Sequence, residues 1–314
     1  MSPFYLMLIS IGEILVDIFE DDHHRDVLPG GAPFNVACNA LLYTDKVSFY
    51  GSVGNDENGK ILIDTVNSKG FTNPHIKVLS DRYTSRAIVT LKNGERSFRF
   101  ERANGADYIL DINDIDFSSI KDEDIIHIGS LMLSEQSGRE FFDTLVFQIR
   151  KHTNAKISFD INYRDDIFVS PNEAKKVFLS ALKKADILKF SKEEINLFSS
   201  KEDLVEALNE LVSPNQIVVV TLGSEGSIFY HNKKAVTVPT YPVKSVDTTG
   251  AGDAFYSYFL SSLINHPDFI NNEEDIKYYL TRANVVGGLA TLKKGAIGSA
   301  PTEEEINHFL NKQN

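Results

Sequence analysis

A single cysteine, Cys38, stands among 314 residues; a lone thiol closes no internal disulfide, so the chain suits a reducing cytoplasm better than a secretory route. Basic residues are in deficit as well. The 32 Lys and Arg against 44 Asp and Glu leave a formal charge of −12 at pH 7, which argues against nucleic acid as a partner. The apolar opening from Phe4 to Phe19 is broken by Glu13 and Asp17 and lacks a basic flank, so it excludes a membrane span and reads as a first buried strand. Several signatures are missing. Neither Gly-x-Gly-x-x-Gly after the first strand nor Gly-x-x-x-x-Gly-Lys-Ser/Thr occurs, which disfavours a dinucleotide fold and a P-loop kinase. There is no Gly-x-Ser-x-Gly elbow or His-Glu-x-x-His helix, and the eight His show no metal spacing, His23 and His24 reading as a solvated loop pair. The acidic balance repels free ATP at long range, so phosphate chemistry here requires a local positive field and a metal ion.

What is present is an alternation. Continuous apolar runs at Leu6 to Ile11, Val47 to Val53, Ile125 to Ile128, Ile157 to Phe159, Ile187 to Leu188 and Ile217 to Leu222 read as strands buried on both faces. Between and after them, helical spacing marks Pro33 to Leu42, Asn58 to Lys69, Glu135 to His152, Glu173 to Lys183, Asp203 to Leu211, Asp253 to Ile264 and Glu273 to Leu292, with a short helix from Thr302. The pattern predicts one α/β domain over residues 1–314 with a parallel, doubly wound sheet. Two β-prone pieces, 15–28 and 85–102, break the alternation, with turn signals at Asp21-Asp22 and Asn93-Gly94. They are expected to form a small appended sheet, a lid.

The richest segment runs from Val246 to Phe255 through Asp247-Thr248-Thr249-Gly250-Ala251-Gly252-Asp253, where an extended stretch becomes a helix. Its glycines let backbone N–H groups converge and the helix start adds partial positive charge, which makes an anion hole. Asp253 beside that hole suits a general base; the alternative is that Thr248 or Thr249 merely caps a helix and Asp253 complements its dipole. Pro29-Gly30-Gly31-Ala32-Pro33-Phe34-Asn35 reads equally as a polyol site, with Asn35 offering donor and acceptor, or as a plain turn with Pro33 opening a helix. Asp17 is either solvated or bound to sugar hydroxyls. Gly51 to Gly59 reads as a structural strand-to-helix turn. Arg164, in Asp160-Ile-Asn162-Tyr-Arg164, reads as a phosphate contact or a surface ion pair, and Thr221-Leu-Gly223-Ser-Glu-Gly226 as a ligand-bordering loop or a β-turn.

In this order the segments resemble the ribokinase-like, PfkB-type carbohydrate kinases from Gly12 to Pro301. Asp247 to Phe255 resembles the family's C-terminal signature, and Gly30-Gly-Ala-Pro-Phe-Asn35 with Gly51 to Gly59 its N-terminal one. The resemblance implies a doubly wound α/β sandwich with a β-sheet lid. It implies Asp253 as base, Gly250, Ala251 and Gly252 as anion hole, and Asp17, Gly31 and Asn35 on the sugar. Thr221, Gly223 and Gly226 would border ATP with Asn284 near the adenine, Glu194 would act on the Mg²⁺ and phosphate region, and oxygens at Asp247 and Thr249 would hold K⁺. Ser191 stands where the family carries Asn before that Glu.

Gly12-Glu-x-x-x-Asp17 and Ser97 to Arg102 are most similar to fructokinases, implying ATP-dependent phosphorylation of D-fructose at O6. The Asn162-Tyr-Arg164 segment resembles 2-keto-3-deoxygluconate kinases, whose substrate carboxylate would need Arg102 or Arg164. A sugar-binding regulator without catalysis is the non-enzyme alternative, and a homodimer through the lid edges is expected.

Overall fold

The apolar runs become the strands of a nine-stranded sheet, in a computed structural model that describes residues 6–20, 25–92 and 95–313. In chain order the strands are β1 (Leu8–Ile11), β2 (Leu15–Glu20), β3 (Arg25–Gly30), β4 (Val47–Gly54), β5 (His75–Leu79), β6 (Arg86–Lys92), β7 (Glu95–Glu101), β8 (Ile125–Ile128), β9 (Lys156–Asp160), β10 (Ile187–Ser191), β11 (Ile217–Thr221), β12 (Ser227–His231) and β13 (Lys234–Val238). The helices are α1 (Ala32–Ala40), α2 (Glu57–Ser68), α3 (Gln136–His152), α4 (Pro171–Leu182), α5 (Lys192–Phe198), α6 (Leu204–Leu211), α7 (Ala251–Asn265), α8 (Glu273–Ala290) and α9 (Glu303–Asn311).

The large sheet runs β13-β12-β11-β10-β9-β8-β1-β4-β5, parallel from β11 to β5. Strand periodicity sorts its side chains to two faces. Leu8, Phe49 and Val219 pack under α1, α7 and α8 with Phe34 and Phe255, whereas Ile9, Ile11, Val218 and Val220 pack against α3 and α4 with Phe142 and Phe178. The sheet is not wholly parallel as the alternation predicts. β12 and β13 return as an antiparallel edge hairpin, and β13 exposes most of its residues and is broken by Lys234 and Thr237, so it carries no continuous apolar run for the buried-strand pattern to mark. The short helix α5 follows β10 directly, held by a capping box between Ser191 and Glu194.

A separate four-stranded sheet of order β3-β2-β6-β7 comes from the two pieces that broke the alternation. The turn signals at Asp21-Asp22 and Asn93-Gly94, and the His23-His24 pair, lie outside the described residues. At the end of β4, Asp56 accepts the N–H groups of Gly59 and Thr84, each at 2.8 Å, so Gly51 to Gly59 is a capped strand-to-helix turn. No helix among the described residues is long and apolar enough to cross a membrane.

Candidate active site

The carboxyl ends of β9, β10 and β11 open into a cleft of about 400 Å³, the place where open α/β sheets receive ligands. The small sheet forms its other wall through Leu15 and Asp17 of β2, Ala87 of β6 and Phe100 of β7. From opposite ends of the chain, Gly31 and Asn35 of the first glycine turn meet Gly250, Gly252 and Asp253 of the second across this cleft.

Why α7 starts as it does follows from its glycine. Gly250 adopts φ +76°, and a Cβ there would lie 2.3 Å from Cβ of Ala296, so only glycine makes this turn without strain. No side chain caps the helix. The Thr249 hydroxyl and N–H instead bond Asp247 Oδ1 at 2.8 and 3.0 Å, while Asp247 Oδ2 accepts the Gly295 N–H at 3.1 Å. The capping alternative for Thr249 is thereby replaced by a loop brace, and the uncapped helix start faces the cleft as an anion-attracting end. Ala251 departs from the expected set: its N–H reaches back to the Thr248 carbonyl at 3.3 Å, and Thr248, Thr249, Gly250 and Gly252 line the cleft instead.

Asp253 is half-buried and accepts a hydrogen bond from the Asn35 amide at 2.8 Å. Burial raises its pKa above the ordinary carboxylate value, against the lowering effect of that bond. The amide oxygen of Asn35, Oδ1, is buried without a hydrogen-bond partner among the described residues. Asp17, 9% exposed, is pushed up to about 7, first by burial and then by the Asp253 charge. Gly31, at φ +108°, brings the first turn so close that a Cβ would lie 2.4 Å from the Glu13 carbonyl; Pro33 sits in the first turn of α1 as well, so one segment both opens a helix and lines the cleft.

Arg164 and Thr221 also line the cleft, Arg164 exposed and bonded only to the Tyr163 carbonyl among the described residues. Glu194 reaches it too, but both carboxylate oxygens are occupied, Oε1 by the Tyr163 N–H at 2.8 Å and Oε2 by the Ser191 N–H at 2.7 Å. Burial raises the Glu194 pKa, with the Asp160 charge adding and Lys189 opposing.

Several other residues expected at the site are not among those lining the cleft. Arg102 does not line the cleft. It is 7% exposed and donates to Asp107 Oδ2 at 2.6 and 3.0 Å, Ser134 Oγ at 2.8 Å and the Leu131 carbonyl at 3.2 Å; leaving Asp107 would strand a buried carboxylate. Asn284, 6% exposed, donates to the Val238 and Pro239 carbonyls at 3.1 and 3.4 Å and so ties α8 to β13 outside the cleft. Gly226 sits in the turn after β11, where a Cβ would lie 2.1 Å from the Val238 carbonyl, a packing reason for glycine; Gly223 beside it faces open space.

One charged cleft residue escaped the sequence reading. Lys189 of β10 is 6% exposed, lines the cleft and is held by both oxygens of Asp160. Its signal was a lysine interrupting the run Ile187-Leu188-Lys189-Phe190, since a charge in a strand buried on both faces must find a counter-charge.

The family model described as pfkB family carbohydrate kinase matches residues 7–303. A probable fructokinase-2 of Arabidopsis thaliana is 32% identical over 318 residues, covering 98% of this chain and 96% of that one. Among solved structures, the fructokinase of Vibrio cholerae O395 in its fructose, ADP and calcium ion bound form is similar with a TM-score of 0.86 and 31% identity, over 98% of this chain and 99% of that one. The fructokinase of Xylella fastidiosa with bound ATP gives a TM-score of 0.84 at 26% identity, over 98% of both chains.

Proposed function

As the chain belongs to the pfkB family of carbohydrate kinases, we propose that this cleft transfers the γ-phosphoryl group of ATP to the O6 hydroxyl of D-fructose. The observation that carries the reading is Asp253, a carboxylate on the first turn of an uncapped helix, opening on the cleft and oriented by Asn35. Asp17, Gly31 and Asn35 hold the sugar. Asp253 accepts the hydroxyl proton as the sugar oxygen bonds to phosphorus, and the backbone N–H groups of Gly250 and Gly252 receive charge on the phosphoryl oxygens. ATP lies along Thr221 and Gly223, with Arg164 toward its phosphates.

The cleft fits a Mg²⁺ carried mostly by the nucleotide. Among the described residues no group of three acidic, His or Cys side chains could hold a metal by itself, and Glu194 has both oxygens engaged, so Glu194 acts on the metal's surroundings rather than as its ligand. Bound there, Mg²⁺ neutralises phosphate charge. With the Asp247 carboxylate bracing its loop, K⁺ would be held by backbone oxygens near Asp247 and Thr249. The four-stranded sheet serves as a lid on one domain spanning residues 1–314, and its outer strands β3 and β7 offer edges to a second copy.

An ADP-release assay over fructose, ribose, 2-keto-3-deoxygluconate and nucleosides tests the reading, with fructose expected to give the highest kcat/KM. Preference for 2-keto-3-deoxygluconate would move the assignment to that sugar acid, with Arg164 meeting its carboxylate since Arg102 is engaged elsewhere. Tight fructose binding without turnover on any sugar would make the protein a sugar-binding regulator.

A further inference from the structure

We propose that Lys189 is a further catalytic residue, one whose ammonium holds a non-bridging oxygen of the travelling phosphoryl group beside Gly252. The inference rests on the kinase reading above and adds a side chain which that reading does not use. Lys189 pairs in register with Asp160 on the adjacent strand, and its Nζ lies 2.9 and 2.8 Å from the two carboxylate oxygens. As a stabilising device this pair is a poor choice, because well-packed apolar residues usually serve a sheet as well or better than a buried ion pair. Its position is what distinguishes it. The side chain lines the cleft, and a Cβ built on Gly252 would lie 3.3 Å from Nζ, so the ammonium abuts the start of α7. There it adds a full charge to the partial charge of the helix end.

The donor count points the same way. An ammonium has three N–H donors, Asp160 takes two bonds, and Lys189 has no other hydrogen-bond acceptor among the described residues. One donor is left for an oxygen in the cleft. Burial opposes the charge on the amine, but the carboxylates of Asp160, Glu194 and Asp253 together raise its pKa and keep it protonated, so it gives up no proton during the reaction. The bookkeeping of the step is complete without it. The sugar oxygen bonds to phosphorus, its proton passes to Asp253, the bond from phosphorus to the ADP oxygen breaks, and that electron pair leaves with ADP. Lys189 stabilises charge on the equatorial oxygens in between.

Removing the ammonium alone would strand Asp160, so the test combines Asp160→Asn with Lys189→Met. It also uses Lys189→Gln, whose amide can still donate to Asp160, and Lys189→Arg. Turnover is followed by ADP release; fructose, ADP, and ADP with aluminium fluoride plus fructose are titrated by calorimetry. In the double variant and in Lys189→Gln, kcat is expected to fall roughly 10²–10³-fold, with fructose and ADP binding within about threefold of wild type. Affinity for the aluminium fluoride complex, which mimics the phosphoryl group in flight, should fall by a factor comparable with kcat, and Lys189→Arg should recover part of both. The proposal is overturned if either folded charge-removing variant keeps kcat within about threefold of wild type, or if all three affinities fall by one common factor. A wild-type protein that phosphorylates no sugar would overturn the kinase reading and this inference together, whereas an active wild type with equally active variants overturns this inference alone.

Discussion

Asn35 and Asp253 are 218 residues apart in the chain, yet the Asn35 amide donates to the Asp253 carboxylate at 2.8 Å. This bond joins the two glycine turns into one cleft. It fixes one carboxylate oxygen and favours the charged form of a group that burial disfavours. It also leaves Asn35 Oδ1 buried and unpartnered among the described residues.

Asp253→Asn should reduce kcat by roughly 10²–10⁴-fold while leaving fructose affinity near the wild-type value, because the amide keeps the shape of the site and cannot take the proton. Steady-state kinetics beside fructose titration calorimetry check this. A variant with wild-type kcat would remove Asp253 from the role of base.

The pH profile has a defined sign. In the proposed role of base Asp253 acts ionised, and its pKa is raised chiefly by burial; Asp17, proposed to hold the sugar, is pushed up to about 7. Activity should therefore climb with pH through a range above that of ordinary carboxylates. Asn35→Ala deletes the bond that favours the charged form of Asp253, so the acid limb of kcat should move to still higher pH and the fructose KM should rise. An acid limb at the same pH in wild type and variant would contradict this electrostatic link.

Glu13 is buried with both carboxylate oxygens unpartnered among the described residues, and burial pushes its pKa from 4.5 up to about 8. The folded protein keeps this proton between those two values while the unfolded chain has lost it. Stability from this group is thus present below pH 4.5, declines up to about pH 8 and is gone above it, a change on the order of a few kcal/mol. Glu13→Gln should leave the melting temperature almost unchanged near pH 5 and raise it above pH 8. Calorimetric scans showing one equal shift at both pH values would reject the explanation.

Closure of the small sheet should be visible in amide exchange. Fructose is expected to slow exchange in 15–20, 25–28 and 85–102, since the wall that carries Asp17, Ala87 and Phe100 would move onto the sugar and exclude water. Identical exchange with and without fructose would count against a lid.

Legibility varied with the kind of information each residue carries. Strand β8 is Ile125–Ile128 as its apolar run predicts, because a strand covered on both faces is mostly apolar, its buried His127 finding a partner in Ser158 at 3.1 Å. β13 was unreadable, because an exposed edge strand needs no continuous apolar run. Arg102 and Lys189 show the same limit at the site. Each is a basic residue in or beside a strand, and each is held by a buried aspartate, Asp107 or Asp160; yet only Lys189 lines the cleft.

Residue type and short-range spacing alone determined the layered α/β architecture, the two glycine turns and the carboxylate that follows the second, because apolar periodicity and left-handed backbone are local requirements. Which charged groups face the cleft was decided only by the tertiary structure. A buried charge takes its counter-charge from whatever strand or loop packs beside it, and that neighbour is set by the winding of the whole sheet.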